Sequence, residues 1–210
     1  MISLIKSIFK SIGKGFYYLL LPCKGVHNVL CLLTMEIRMG YLSSLFQNMG
    51  NNVYIRVPNR IIGHKYISIG NSFSSLYGLR IEAFDKYLHQ TFSPKIVIGN
   101  NVCFNTDCHI ACINRIVIGN NVLIASRVFI TDHAHGGTDS VNLSPLQRPL
   151  VSKGSVIIGN NVWIGEGAVI LPNVKIGDNC IIGANSVVTK DMIKNSVIAG
   201  VPGNIIKTLN

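Results

Sequence analysis

From residue 158 onward an aliphatic side chain returns at every sixth position: Ile158, Ile164, Ile170, Ile176, Ile182 and Val188, with Gly159, Gly165, Gly177 and Gly183 directly after four of them. Val162, Ala168, Val174, Cys180 and Ser186 fill the position four residues after each of the first five. The same lattice stands earlier at Ile98, Phe104 and Ile110 and, after a slip of two residues, at Ile118, Ile124 and Ile130, with a start at Ile69-Gly70-Asn71. A period of six matches neither the 3.6 of a helix nor the simple alternation of a strand. It matches a short flat strand plus a turn, repeated, with one aliphatic side chain per unit pointing inward. Three such units close one triangular coil, and successive coils stack their strands in parallel about 4.8 Å apart, so the inward side chains form ladders. The "IGNN" runs at 98, 118 and 158 and the "IGDN" at 176 suit corners that need unusual backbone angles. The chain is therefore expected to be all-β over residues 51–207, preceded by a different segment at 1–50.

That first segment carries no repeat. Ile2, Ile5, Ile8, Phe9 and Ile12 recur at helical spacing, and Lys6, Lys10 and Lys14 lie four apart on another stripe, which predicts a basic amphipathic helix. Such a helix touches an anionic membrane surface or packs on protein, and both readings stay open. The apolar stretches Phe16 to Leu21 and Val29 to Leu33 fall short of the ~20 residues a spanning helix needs, and no secretory cleavage pattern follows them. The net charge of +10 suits an anionic partner. Nucleic acid is disfavoured, because no stacking aromatics interleave with the basic residues. Six cysteines without a CxxC pair read as reduced, buried thiols of a cytoplasmic protein.

The lattice breaks between Ile130 and Val156, so residues 131–157 are expected to leave the coil as a long loop, and such loops carry function more often than not. The loop opens on Asp132-His133-Ala134-His135 and closes on Leu146-Gln147-Arg148-Pro149. An imidazole placed there can take the proton of a hydroxyl as it attacks an acyl carbonyl. The plain alternative is a polar turn.

With the run IIGNNVWIGEGAVILPNVKIGDNCIIGANSVVTKD around Ile158 to Lys190 and the closing VIAGVPGNIIK from Val197 to Lys207, the sequence resembles the hexapeptide-repeat acyltransferases. The likeness is greatest to their galactoside, maltose and nodulation-factor acetyltransferase branch and to the capsule and O-antigen O-acetyltransferases. The resemblance implies a left-handed parallel β-helix, a hand that spacing does not reveal and that runs against the usual right-handed crossover. It also implies a homotrimer with sites between subunits, acetyl-CoA as acyl donor, and a saccharide or glycan-precursor acceptor. His133 matches the family's catalytic base by its DHxH setting, while an ungapped count from the preceding repeat favours His135. Trp163, Gly165, Ala184, Thr189 and Lys190 match positions along the donor channel, although Trp163 also suits surface packing and Lys190 a solvated turn.

Asn105 matches an asparagine that contacts the sugar, or is a corner residue; Asp132 and Arg148 stand beside the loop as further acceptor contacts. The family's acidic residue in the following coil has no counterpart in His109 to Arg115. A zinc site of the γ-carbonic anhydrase kind is not expected, because His109, His133 and His135 do not keep its spacing. The expected activity is O-acetylation of a surface-polysaccharide sugar, at the cytoplasmic side and, through residues 1–33, near the inner membrane face. An amino-sugar or antibiotic N-acetyltransferase and a non-catalytic β-helix scaffold are the alternatives.

Overall fold

The computed structural model describes residues 7, 8, 10–15, 24–136 and 142–209. The chain divides into two compact units, Met1–Ser44 and Leu45–Asn210. The second unit is a left-handed parallel β-helix with three flat faces. The first face stacks Asn48–Met49, Ile67–Ile69, Lys95–Ile98, Arg115–Ile118, Val156–Ile158 and Lys175–Ile176. The second stacks Tyr54–Ile55, Ser74–Ser75, Cys103–Phe104, Leu123–Ile124, Trp163–Ile164, Ile181–Ile182 and Ser196–Ala199, the last paired antiparallel with Asn204–Thr208. The third stacks Arg60–Ile62, Arg80–Ala83, His109–Cys112, Phe129–Thr131, Val169–Ile170 and Val187–Val188.

Every lattice residue expected to point inward does so: Ile98, Phe104, Ile110, Ile118, Ile124, Ile130, Ile158, Ile164, Ile170, Ile176, Ile182 and Val188 are all buried. The lattice begins one coil earlier than Ile69. Met49 pairs with Ile69, Ile55 with Ser75 and Ile61 with Ile81, each triplet keeping the six-residue step. Met49, an unbranched thioether, hides this coil from a search for aliphatic residues, and the polar Ser75 interrupts the lattice in the coil that follows.

The corner motif has a structural cause at each position. In Gly99 and Gly119 a Cβ would stand 2.6 Å from the carbonyl oxygen of the next coil's glycine, so the coils close up only on glycine. The first asparagine caps the neighbouring coil. The N–H groups of Asn71, Asn100 and Asn120 donate to Oδ1 of Asn100, Asn120 and Asn160, all at 2.8 Å, and Asp178 accepts from Asn160 at 2.7 Å. The second asparagine takes the left-handed backbone conformation, with φ of 55° to 57° at Asn101, Asn121, Asn161 and Asn179. Their side-chain amides hydrogen-bond up the edge from Asn101 to Asn195 at 2.8–3.1 Å.

Two excursions leave the prism at the edge between the third and first faces. The expected one runs from Thr131 to Val156 and is tied at its neck by Ala134–His135 pairing antiparallel with Leu150–Val151. The other, which periodicity does not flag because it is short, is a hairpin of Lys86–Tyr87 with Gln90–Thr91. Gln90 joins the two: its amide donates to Leu150 O at 3.1 Å and accepts from Leu150 N–H at 2.7 Å.

In the first unit, Lys24–Ser43 is one helix, and Val29, Leu32, Leu33, Ile37 and Tyr41 on it are exposed. Ile8, Lys10, Ile12 and Lys14 of the expected amphipathic stripes are helical and exposed, whereas Ile2, Ile5, Lys6 and Phe9 lie outside the described residues. Among the described residues no helix is long and apolar enough to cross a membrane.

Candidate active site

His133 sits where the third-face strand Phe129–Thr131 turns off into the excursion. Its Nδ1 is 2.9 Å from Oδ1 of Asp132, a carboxylate with no exposed surface. Asp132 is held by four further donors: the N–H groups of Ile113 at 3.0 Å, Asn114 at 2.8 Å and Arg115 at 2.8 Å, and the Cys112 thiol at 3.2 Å. These donors lie in the coil below, at the corner where the third face turns into the first. Burial alone would raise the Asp132 carboxyl, but the His133 contact, the backbone N–H groups and the thiol outweigh it and hold it below the usual carboxylate range. The same burial, with the Asp132 charge beside it, pushes the Cys112 thiol well up and leaves it a thiol donor.

With Nδ1 on the carboxylate, His133 presents Nε2 as its free lone pair, the arrangement by which a carboxylate fixes the tautomer of a catalytic imidazole. The ring is further set by an edge-to-face contact with Phe84, centroids 6.4 Å apart, and by Thr131, whose hydroxyl donates to His133 O at 3.0 Å. Asp132, expected against the acceptor, faces the corner backbone instead. The second loop histidine is differently placed: His135 is exposed, its ring 5.3 Å from that of Tyr87, and among the described residues no carboxylate pairs with it.

A second ionic group lies on the outer surface of the same face. Arg60, Arg80, His109 and Phe129 occupy one outward column, in register from coil to coil. Glu82, on the next outward column, is buried, and its carboxylate takes Arg60 Nε at 2.8 Å, Arg80 at 3.0 Å and His109 Nε2 at 3.0 Å. Burial opposes ionisation of Glu82, yet the Arg80 and His109 hydrogen bonds prevail and hold its carboxyl below its ordinary value. Burial also lowers the His109 imidazole, more than Glu82 raises it. The His109 ring stacks on Phe129, with centroids 4.9 Å apart.

The sequence reading missed Arg60, Arg80 and Glu82. The signal was present: Arg60, Arg80 and His109 each directly precede an inward isoleucine, a column visible once the lattice is extended back to Met49. Arg148, the other loop residue expected at the acceptor, folds over Gly136 and donates from Nε to Leu143 O at 3.0 Å, bracing the neck of the excursion. Asn105 lies at the corner between second and third faces, its backbone N–H on Ile124 O.

The expected donor-channel positions are spread over the upper coils. Trp163 stands half-exposed on the second face. Gly165 and Ala184 meet on adjacent rungs of the next corner, where a Cβ on Gly165 would lie 2.6 Å from Ala184 N. Thr189 and Lys190 are exposed beyond the third-face strand Val187–Val188, with Lys190 Nζ on Asn204 Oδ1 at 2.9 Å. Among the described residues no cluster of three metal-binding side chains occurs.

Residues 155–190 match the bacterial transferase hexapeptide family, six repeats. Across 86% of the chain and 90% of the relative, the sequence is 40% identical to WbbJ of Escherichia coli K12, named for an O-acetyl transferase of lipopolysaccharide biosynthesis. A galactoside acetyltransferase solved in complex with coenzyme A superposes with a TM-score of 0.59 at 31% identity, covering 83% of this chain and 71% of that one. AntD, an N-acyltransferase from Bacillus cereus, shares the fold with a TM-score of 0.68 at 22% identity, over 81% of this chain and 89% of that one. A match that spans nine-tenths of an O-acetyltransferase at this identity places the chain in the hexapeptide-repeat acetyltransferase family, and the protein is an acyltransferase of that family.

Proposed function

We propose that this enzyme transfers the acetyl group of acetyl-CoA to a sugar hydroxyl of a surface polysaccharide or its precursor, in a ternary complex, with His133 as general base. The observation that carries this reading is the His133–Asp132 pair, a nearly covered imidazole oriented by a fully buried carboxylate at the root of the excursion. Nε2 accepts the hydroxyl proton as the oxygen attacks the thioester carbonyl. The C–S bond then breaks, and the proton passes from the imidazolium to the departing sulfur. Asp132 stabilises the imidazolium without itself being protonated. A backbone N–H in the cleft stabilises the oxyanion. Donor binding falls to Trp163, Gly165, Ala184, Thr189 and Lys190; because these are spread over one face and two corners, a homotrimer that sets one prism beside another is part of this reading. Residues 1–33 with the exposed apolar side chains of Lys24–Ser43 lie against an anionic membrane surface.

The test is thiol release from acetyl-CoA with a panel of sugars, amino sugars, nucleotide sugars and oligosaccharides. Turnover on a hydroxyl acceptor is the expected outcome. Transfer to amines alone moves the assignment to N-acetylation, and absence of both acetyl-CoA binding and turnover overturns it.

A further inference from the structure

We propose that the acceptor of this enzyme carries an anionic group, a phosphate or a carboxylate, and that Arg80 and Arg60 bind it on the third face, two and three coils below His133. The inference rests on the acetyltransferase reading above for its choice of acceptor, and on the Glu82 constellation for its site. Outward positions on a flat β-helix face ordinarily meet solvent, yet Glu82 is buried there under two guanidinium groups and an imidazole. A buried carboxylate with three donor side chains is a positioning device: it holds two long, flexible cations side by side in one orientation.

Glu82 does not saturate them. Arg60 is engaged through Nε and Arg80 through one terminal nitrogen, their side chains are 64% and 49% exposed, and neither makes another ion pair among the described residues. With His109 held toward its neutral form, the constellation keeps an excess positive charge and leaves guanidinium N–H donors facing outward on adjacent rungs. Two exposed guanidinium groups tethered to one carboxylate on adjacent rungs can together take a phosphate or carboxylate through paired hydrogen bonds. Phe129 completes the path. The column runs Phe129, His109, Arg80, Arg60, so with about 4.8 Å per rung it covers roughly 14 Å from the strand that carries His133 to Arg60. A sugar ring placed against His109 and Phe129 has its reacting hydroxyl near His133 and its anionic substituent on the arginines.

The site is tested by calorimetric titration of the full chain saturated with CoA, which removes the donor site as a competitor for phosphate. The probes are inorganic pyrophosphate, glucose 1-phosphate, glucuronic acid and glucose, and the proteins are the parent, Arg60→Ala and Arg60→Lys. Arg60→Ala leaves Glu82 paired with Arg80 and His109, so the fold is expected to survive, and unchanged CoA affinity checks this. Pyrophosphate should bind the parent, at least ten times more weakly to Arg60→Ala and at intermediate strength to Arg60→Lys, with the affinity falling as salt is added. Preference for glucose 1-phosphate over glucuronic acid identifies a phosphate acceptor, and the reverse an acidic sugar. Failure of pyrophosphate and both acidic sugars to bind the parent, or binding that is unchanged in Arg60→Ala, overturns the proposal. Because the titration needs no turnover, an inactive enzyme that still binds pyrophosphate through Arg60 would count against the acetyltransferase reading and not against this site.

Discussion

At the scale of single residues, the polar groups that burial makes expensive are the informative ones. Asp132 gathers five donors, so replacing it with Asn turns an N–H donor toward groups that are themselves donors. We expect Asp132→Asn to lower kcat by about 10²-fold or more through loss of the His133 tautomer, and to destabilise by about 2–3 kcal/mol, read by denaturant unfolding. Asp132 and Glu82 have folded pKa values below their unfolded ones, so each stabilises the fold above about pH 4 and that contribution is lost as pH falls through the folded value. His109 is also lowered, so its contribution is present above about pH 6.5 and declines as pH drops below it. Acid titration of stability should therefore show loss beginning below neutrality and steepening below about pH 4, and Glu82→Gln should flatten the lower limb. Ser75 stands apart: it points into the core between Ile55 and Phe104, and its hydroxyl has no partner among the described residues. Ser75→Ala is expected to stabilise by about 1 kcal/mol in the same unfolding assay. The identity of His133 as the oriented histidine was only half legible in the sequence. Spacing offered both His133 and His135, and what separates them is a carboxylate whose own anchors lie 17 to 20 residues earlier, a relation no local pattern expresses.

At the scale of the elements, the coil is specified by its corners as much as by its aliphatic ladder. Gly119→Ala forces a methyl against a backbone oxygen that the next coil holds in place, and should cost about 2–3 kcal/mol. The same change at Gly13, where a Cβ would have open space, should leave unfolding of the prism unchanged. The lattice was legible because one inward side chain per six residues is a strict geometric demand. The first coil was not, because Met49 satisfies that demand without looking aliphatic-branched and because the coil that follows is interrupted at Ser75, which satisfies only its size. The short hairpin at Lys86–Thr91 escaped for a different reason: it has no period to break, and its importance comes from a contact 60 residues away, Gln90 with Leu150. Gln90→Ala should loosen the neck of the long excursion, visible as faster hydrogen exchange at the Leu150 amide, with a smaller fall in kcat than Asp132→Asn produces.

For the whole molecule, the three faces divide the work. The third face and its edge bring together Asp132, His133, Phe84 and the Glu82 constellation, while the residues expected to hold the donor are spread over one face and two corners of the upper coils. A single prism therefore holds the whole His133–Asp132 pair but scatters the residues proposed to hold the donor, and light scattering of the purified chain should give three times its 22.9 kDa mass. Fold and family were readable from the repeat, since periodicity is written along the chain. The acceptor site was not, since it is assembled from residues in separate coils whose only sequence mark is their place beside an inward isoleucine. Whether His133, oriented by Asp132, is the base is decided by thiol release on a working acceptor with His133→Ala and His135→Ala. His133→Ala is expected to lose about 10²-fold or more in kcat with the KM for acetyl-CoA unchanged, while His135→Ala stays within a few-fold of the parent; loss confined to His135→Ala would make His135 the base instead.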